Sequence, residues 1–389
     1  MRILICAFSF YPSVNGVANV VYEHAKNFLK EGHAVTVATQ TDVNRVDKSF
    51  ENINIIEFDI SGGPLLTNFY RGEIRDYLDF LNSAYFNYDV IFFHGWQIWS
   101  TDLFLFSKSK SVTSAKTIFV SHCSPSMRWR SVFEIIRTLL LLPYVWFVMP
   151  RLMRKFDQLV FLSSKKSGDR HQDYKKASII YPAKINVIPN GLPSVLPVAE
   201  GSFNCSEMKG LTKDKKIILY VANYDKGKDQ LRTIKVFEKL NNLSNAHLVL
   251  IGSSCNRYCK RLIAYVHHKK LTSKVSILFE RERSEVLALY AASYMTLFTS
   301  RTECCPLAVL ESLAFRKPVI STDVGCLTEY SGVLVSSSDS GLVRNADLLL
   351  GDEQYYRKTQ TAIDESKDLM SWATVMDSYA RLLEVVYED

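Results

Sequence analysis

Short, nearly uncharged runs rich in β-branched and aromatic residues alternate with longer stretches of helical period, and the alternation runs through this chain twice. RILICAF is followed by a loop at Gly16 and an amphipathic run from Val17 to Lys30. Gly32-His33 breaks that helix and AVTVAT resumes as a strand. VIFFH (Val90 to His94), TIFVSH (Thr117 to His122) and LVFLS (Leu159 to Ser163) continue the series. Strands that are apolar on both faces belong to a parallel sheet covered by helices on each side. The rhythm pauses from Pro189 to Gly210, where Asn190-Gly191, Pro193, Pro197 and Gly201 cluster as turn formers. It restarts with KIILYVAN, a helix expected from Asp229 to Leu243, then HLVLIGS, KVSILFE, YMTLFTS and KPVISTD. Two β/α halves joined by a linker predict two doubly wound, Rossmann-like domains facing each other across a cleft. Ligands in such sheets sit at the carboxyl ends of the strands.

The boundaries follow from this pattern. An N-terminal domain is expected over 1–192, a linker over 193–210 and a C-terminal domain over 211–371, with a last helix over 372–389. A chain of 389 residues exceeds one core and suits two. MRILICAF lacks the n-region, long apolar stretch and cleavage site of a signal peptide, and reads as the first buried strand. Eight cysteines are scattered without CxxC pairs. Cys255 and Cys259 are not completed by a second pair of ligands, so thiols in a reducing cytoplasm are expected rather than a zinc site. A net charge of +7 suits anionic substrates or an anionic membrane surface. No nucleic-acid-binding pattern accompanies it, and no nucleic-acid partner is expected.

Residues Leu139 to Pro150, LLLLPYVWFVMP, carry no charge and are flanked by Arg137, Arg151, Arg154 and Lys155, with Lys165, Lys166, Lys175 and Lys176 beyond. The run is shorter than the roughly 20 residues a bilayer span needs, and Pro143 interrupts it. Two readings stay open: a buried core helix, or an interfacial element with an aromatic and cationic rim.

The most informative stretch runs from Thr299 to Glu329. Glu303 lies in the loop after YMTLFTS, Pro306 opens a helix, and Glu311 lies on it eight residues after Glu303. A helix N-terminus offers free N–H groups and a positive dipole suited to a diphosphate. Two carboxylates beside that anion site make electrostatic sense only if they accept hydrogen bonds from hydroxyls, such as those of a sugar and a ribose. Taken alone, the pair also reads as a helix N-terminal acid and a surface residue.

This stretch resembles the E-x7-E element of the retaining GT-B glycosyltransferases of family four. Ser300, Glu303, Pro306, Leu307, Leu310, Glu311, Ala314, Pro318 and Val319 match it, and Gly325 and Glu329 match the element that follows. YPSVNGVANVVYEHAKNFLKEGHAVTVAT resembles the family's opening glycine loop, helix and G-H-x-V strand. TIFVSH resembles the strand that ends in an active-site histidine, and His94 ends the preceding strand as a second-tier candidate. YVANYDKGKDQ places Lys228 in the family's lysine position, with Asn223 replacing its arginine and Arg301, Lys226 or Arg281 as possible substitutes. SWATVMDSYARLLEVVYE resembles the final helix that crosses back onto the first domain.

The resemblance implies a GT-B architecture and a retaining transferase that takes a sugar from a nucleotide-diphosphate donor. It gives His122 and Glu303 as catalytic residues. The donor would be held by Gly16, Asn223, Lys228, Glu303, Cys305, Pro306, Leu307 and Glu311. Cys304 and Arg316 stand where glycine is common and leave the loop shape open. With no Asp-x-Asp motif at a strand end, no metal and no other cofactor are expected. The expected partners are a nucleotide-diphosphate sugar, a glycan or lipid-linked acceptor of surface-polysaccharide assembly, and an anionic surface at the inner face of the membrane. The rivals are a non-catalytic sugar-nucleotide-binding relative and an enzyme of the same fold, an epimerase or a phosphorylase.

Overall fold

The computed structural model describes the chain except residues 14, 64–68, 109–114, 125–126, 128–131, 166–170, 193–213, 242 and 389. The expected linker over 193–210 and Lys166 lie outside the described residues. The chain divides into two compact units, Met1–Asn190 with Trp372–Asp389, and Gly191–Ser371.

Among the described residues, ten strands belong to the first unit: β1 (Arg2–Ala7), β2 (Ala34–Gln40), β3 (Ser49–Phe50), β4 (Ile53–Phe58), β5 (Ile60–Ser61), β6 (Arg71–Gly72), β7 (Val90–His94), β8 (Lys116–Ser121), β9 (Gln158–Phe161) and β10 (Ile185–Val187). Eight of them make one sheet in the order β10-β9-β8-β7-β1-β2-β4-β3, and β5 and β6 form a separate ribbon. The pairs are parallel except the β3–β4 edge. The chain leaves β1 toward β2 on one side and reaches β7 on the other, so the sheet reverses direction beside β1. Ala7 pairs in register with His94 there, which sets the ends of β1 and β7 level.

The helix Gly16–Lys30 begins where Asn15 accepts a hydrogen bond from the backbone N–H of Ala18. It buries Ala18, Val21, His24, Ala25 and Phe28, one stripe of a 3.6-residue period. The C-terminal helix Trp372–Glu388 buries Trp372, Val375, Met376, Tyr379, Leu382, Leu383 and Val386 in the same way. Tyr379 packs edge-on against His24 and Phe28 of the first helix and against Phe92 of β7. The last 18 residues thus complete a core begun by the first 30.

The second unit holds β11 (Lys216–Val221), β12 (Ala246–Gly252), β13 (Val275–Phe279), β14 (Met295–Phe298), β15 (Val319–Ser321) and β16 (Val333–Val335). Their order is β13-β12-β11-β14-β15-β16, all parallel, with the reversal between β11 and β14. The helix expected over Asp229–Leu243 is shorter, Gln230–Phe237. Asp229 sits in the left-handed region (φ 51°), so it belongs to the preceding turn. At the other end, Lys239 and Leu240 bond back to Val236 and Phe237, a tighter winding that ends the α-helix.

Candidate active site

In the second unit the site lies where the sheet reverses, after the carboxyl ends of β11 and β14, the position at which open α/β sheets bind ligands. The two loops there are stitched together. Arg301 N–H donates to the Gly227 carbonyl at 2.8 Å, and Ser300 Oγ lies 3.2 Å from the same carbonyl. Arg301 Nε pairs with the Asp229 carboxylate at 2.8 Å. Thr299 Oγ1 donates to the Asp229 carbonyl, and Tyr220 O–H to the Lys228 carbonyl at 2.6 Å. The bonds to carbonyls fix backbone and the Arg301–Asp229 pair ties the two loops through side chains, so the groups they carry are pre-aimed.

Lys228 and Glu303 meet in that frame, Nζ to Oε1, at 2.6 Å. Ser300 Oγ donates to the same carboxylate oxygen at 2.6 Å. Glu303 is therefore not a free helix-terminal acid: its side chain is nearly buried and held from both sides. The helix Leu307–Ala314 follows, with Pro306 as its N-cap and no side chain closing that end. Glu311 faces inward on this helix, and its side chain is 9% exposed. Arg283, the first residue of the helix Arg283–Ala292, reaches it at 2.5 Å. Burial beside Glu311 also holds the Tyr290 phenol protonated, its pKa well above the usual tyrosine value.

Several expectations are refined by these contacts. Glu311 is buried rather than a surface residue. Arg281, proposed to replace the missing arginine, pairs with Glu285 of the helix that follows it. Arg301 is committed to Asp229, and Lys226 lines a separate cavity of about 290 Å³ with Asp229, Tyr258, Arg261 and Arg301. The cation at Glu311 is Arg283, which sequence reasoning missed. The signal was present as Arg-Glu-Arg at 281–283, just after β13. Asn223 is exposed past the end of β11, and its carbonyl accepts from Gln230 Nε2 at 2.9 Å. Cys305 turns its thiol toward Tyr330 Oη at 3.3 Å, so any role at the donor falls to its backbone.

Gly325 shows why this loop tolerates Cys304. Its φ is +55°, and a Cβ there would lie 2.0 Å from the Cys304 carbonyl oxygen. That carbonyl accepts from Cys326 N–H at 2.8 Å, which fixes the loop from below. Arg316, where glycine is common, takes the left-handed conformation at the helix end (φ 59°) and pairs with Asp364.

In the first unit, Gly16 opens its helix with no atom within 4 Å of where a Cβ would stand. Its φ is not in the left-handed region, so turn geometry does not require glycine here, and open space over the backbone is what it provides. His94 ends β7 and His122 follows β8, with His94 Nδ1 and His122 Nε2 2.9 Å apart. A third histidine, His24, lies tilted against His94 with ring centroids 5.2 Å apart, and was not singled out from sequence. Burial pushes all three pKa values down, that of His24 to about 3, so the cluster is neutral at pH 7. His94 Nε2 is buried without a partner. An unpaired buried N–H costs more than an unpaired acceptor. The favoured tautomer therefore has His94 Nδ1–H donating to His122 Nε2, which leaves Nδ1–H of His122 as a donor.

Two family descriptions match the chain side by side: Glycosyltransferase Family 4 over residues 14–194 and Glycosyl transferases group 1 over residues 205–364. The protein belongs to the family-four GT-B glycosyltransferases. A curated relative, N-acetyl-alpha-D-glucosaminyl L-malate synthase of Bacillus anthracis, is 29% identical over 163 residues. That match takes in 40% of this chain and 42% of the relative. Sucrose-phosphate synthase from Thermosynechococcus elongatus has the same fold (TM-score 0.77, 15% identity, 100% of this chain and 99% of that one). Anabaena HepE, solved with UDP and glucose, is similar at TM-score 0.70 and 14% identity, over 99% and 100% of the two chains. WaaG, a glycosyltransferase involved in lipopolysaccharide biosynthesis, is similar at TM-score 0.65 and 15% identity, over 98% and 99%. This glycosyltransferase thus has the mixed α/β, two-domain GT-B fold.

Proposed function

We propose that this glycosyltransferase moves a sugar from a nucleotide-diphosphate donor to a glycan or lipid-linked acceptor, with retention of anomeric configuration and without a metal ion, in cytoplasmic assembly of a surface polysaccharide. The observation that carries the reading is the Lys228–Glu303–Ser300 cluster at the sheet reversal, with the buried Glu311 carboxylate held by half-exposed Arg283. Both carboxylates are pre-oriented acceptors for ligand hydroxyls, Glu303 for the sugar and Glu311 for the ribose. Both cations can shift from carboxylate to phosphate. The uncapped start of the Leu307–Ala314 helix adds N–H donors for the same anion.

The chemistry follows from where charge develops. The acceptor oxygen bonds to the anomeric carbon as the bond from that carbon to the diphosphate oxygen breaks. The acceptor proton passes to the departing diphosphate, which leaves on the same face. Lys228 and the helix N–H groups stabilise the charge that grows there, the role a metal ion would otherwise take. Among the described residues, no group of three or more His, Cys, Asp or Glu side chains is placed to hold a metal ion. In the first unit, His122 offers its Nδ1–H as a donor suited to a hydroxyl-bearing ligand. HepE has been solved with UDP, and starch synthase IV of Arabidopsis thaliana with ADP, which supports a nucleoside diphosphate as the leaving group here. A panel of nucleotide sugars, read for nucleoside diphosphate release, tests the proposal. Release from one donor that stops in Glu311→Ala is expected, and no release from any donor would contradict it.

A further inference from the structure

The uncharged run at 139–150 lies within one continuous helical segment, Val132–Lys155, and the structure shows what each of its faces does. Leu141, Tyr144, Val145, Val148, Met149, Leu152 and Met153 face the core of the first unit. Tyr144 O–H donates to Asp102 at 2.6 Å and also accepts from the Gln97 N–H. Val132, Ile136, Leu139, Leu140, Trp146 and Phe147 lie on the opposite face, exposed. Their spacing is that of one helical stripe, carried across Pro143 by a π-helical turn over Tyr144–Val148. Trp146 is 61% exposed and Phe147 59%, values that exclude a core role for either. The run is thus a core helix on one side and an apolar surface on the other.

The surroundings of that surface are cationic. Lys176, on the neighbouring helix Gln172–Ile180, lies over the Trp146 ring at 3.6 Å, and Arg151 lies over Phe147 at 6.0 Å. Ile179 and Ile180, one turn beyond Lys176 on its face of that helix, are exposed and extend the apolar patch. Arg137, Arg154 and Lys175 are exposed as well. Glu134 is the one acid of the Val132–Lys155 segment and is half-buried, while Asp173 of the neighbouring helix is buried. Lys155, expected in the cationic rim, instead turns inward to the carbonyls of Phe104 and Ser107.

We infer that this face docks on an anionic lipid surface, with the Val132–Lys155 segment lying in the membrane plane. An apolar stripe with tryptophan and phenylalanine at its edge and basic groups around it fits the interface between headgroups and acyl chains. A stretch of 22 residues, Glu134–Lys155, is long and apolar enough to cross a bilayer. Crossing would pull Tyr144 off Asp102 and strip the core of its inner face, so the segment lies on the membrane rather than through it. The inference stands on this surface alone and is independent of the transfer chemistry.

Flotation of the full chain with vesicles tests it. The protein should rise with phosphatidylcholine–phosphatidylglycerol vesicles and stay down with phosphatidylcholine alone. Trp146→Ser with Phe147→Ser should weaken vesicle binding roughly tenfold or more, through lost apolar burial. Arg151→Glu with Arg154→Glu should do the same through lost attraction to anionic headgroups. Both pairs are solvent-exposed, so melting curves near wild type are expected and separate lost docking from lost folding. Wild-type protein that stays at the bottom, or variants that float as well as wild type, would overturn the inference. So would a solution dimer that Trp146→Ser with Phe147→Ser dissociates, since the occupant of the face would then be a second copy.

Discussion

Glu303 and Glu311 are each nearly buried and each held by one base, yet those bases, Lys228 and Arg283, keep a third to a half of their side chains in solvent. Removing either carboxylate therefore leaves its cation able to reach water, and the fold should survive. Glu303→Ala and Glu311→Ala should each lower kcat/KM roughly ten- to hundredfold, the loss of about 1.5–3 kcal/mol in hydrogen bonds to a charged group. Melting should stay near wild type, and wild-type turnover by either variant would remove that residue from the site. His94 meets His122 at 2.9 Å, and its expected role is to position that ring. His94→Phe should lower kcat more than it raises KM, and should shift the pH profile as His122 regains freedom to change tautomer. An unchanged profile would show that His122 needs no such partner. Glu303, Glu311 and Lys228 were legible in the sequence because a fixed spacing carries them. Arg283 and His24 were not, because each meets its partner through tertiary packing, and no local pattern records which of several nearby bases or apolar-stripe residues will face inward.

The loops after β11 and β14 owe their shape to backbone positions as much as to side chains. Gly325, after β15, packs directly on the loop after β14, since any side chain there meets the Cys304 carbonyl and must also adopt a positive φ. Gly325→Ala should cost about 1–3 kcal/mol of stability, by the usual magnitude of a strained backbone, and should weaken donor binding because Glu303 sits one residue before Cys304. A melting temperature equal to wild type would contradict this geometry. The strands with continuous apolar runs were readable because such runs have few alternatives in a doubly wound sheet, whereas β4, whose INIIEF mixes polar and apolar residues, and the three-residue β10 and β16 were not. Helix limits were harder. Asp229 reads as a helix start but turns left-handed because Arg301 and Thr299 hold its two ends, a constraint from residues seventy positions away. The segment at 139–150 was ambiguous for a related reason: hydropathy cannot distinguish a helix with two apolar faces from one with a single buried face.

Across the whole molecule, the C-terminal helix is the piece whose loss should matter most. Its seven buried side chains lie in the first unit, and burying each stabilises by about 1.5–3 kcal/mol, a sum comparable with the 5–15 kcal/mol that holds a typical domain together. A chain ending at Ser371 should fail to give a cooperative transition for the first unit, and a normal one would show that the helix is dispensable. The same core sets an acid limit. His24, His94 and His122 titrate near 6.5 when unfolded and well below that when folded, so the unfolded chain binds more protons between. Stability should be full above pH 6.5 and fall steadily as pH drops toward 3, with Tyr379 staying neutral throughout. Replacing His24 with leucine should flatten that fall, and an unchanged slope would exclude the cluster as its source. Donor chemistry at Glu303, Glu311 and Lys228 is reached directly by one measurement. Wild type, Lys228→Ala and Glu311→Ala are each incubated in EDTA with UDP-, GDP- and ADP-sugars, and nucleoside diphosphate release is followed. Release by wild type from a single donor, undiminished by the chelator and lost in both variants, is the predicted result. Release that needs added magnesium or manganese, or that persists in Lys228→Ala and Glu311→Ala, would contradict it.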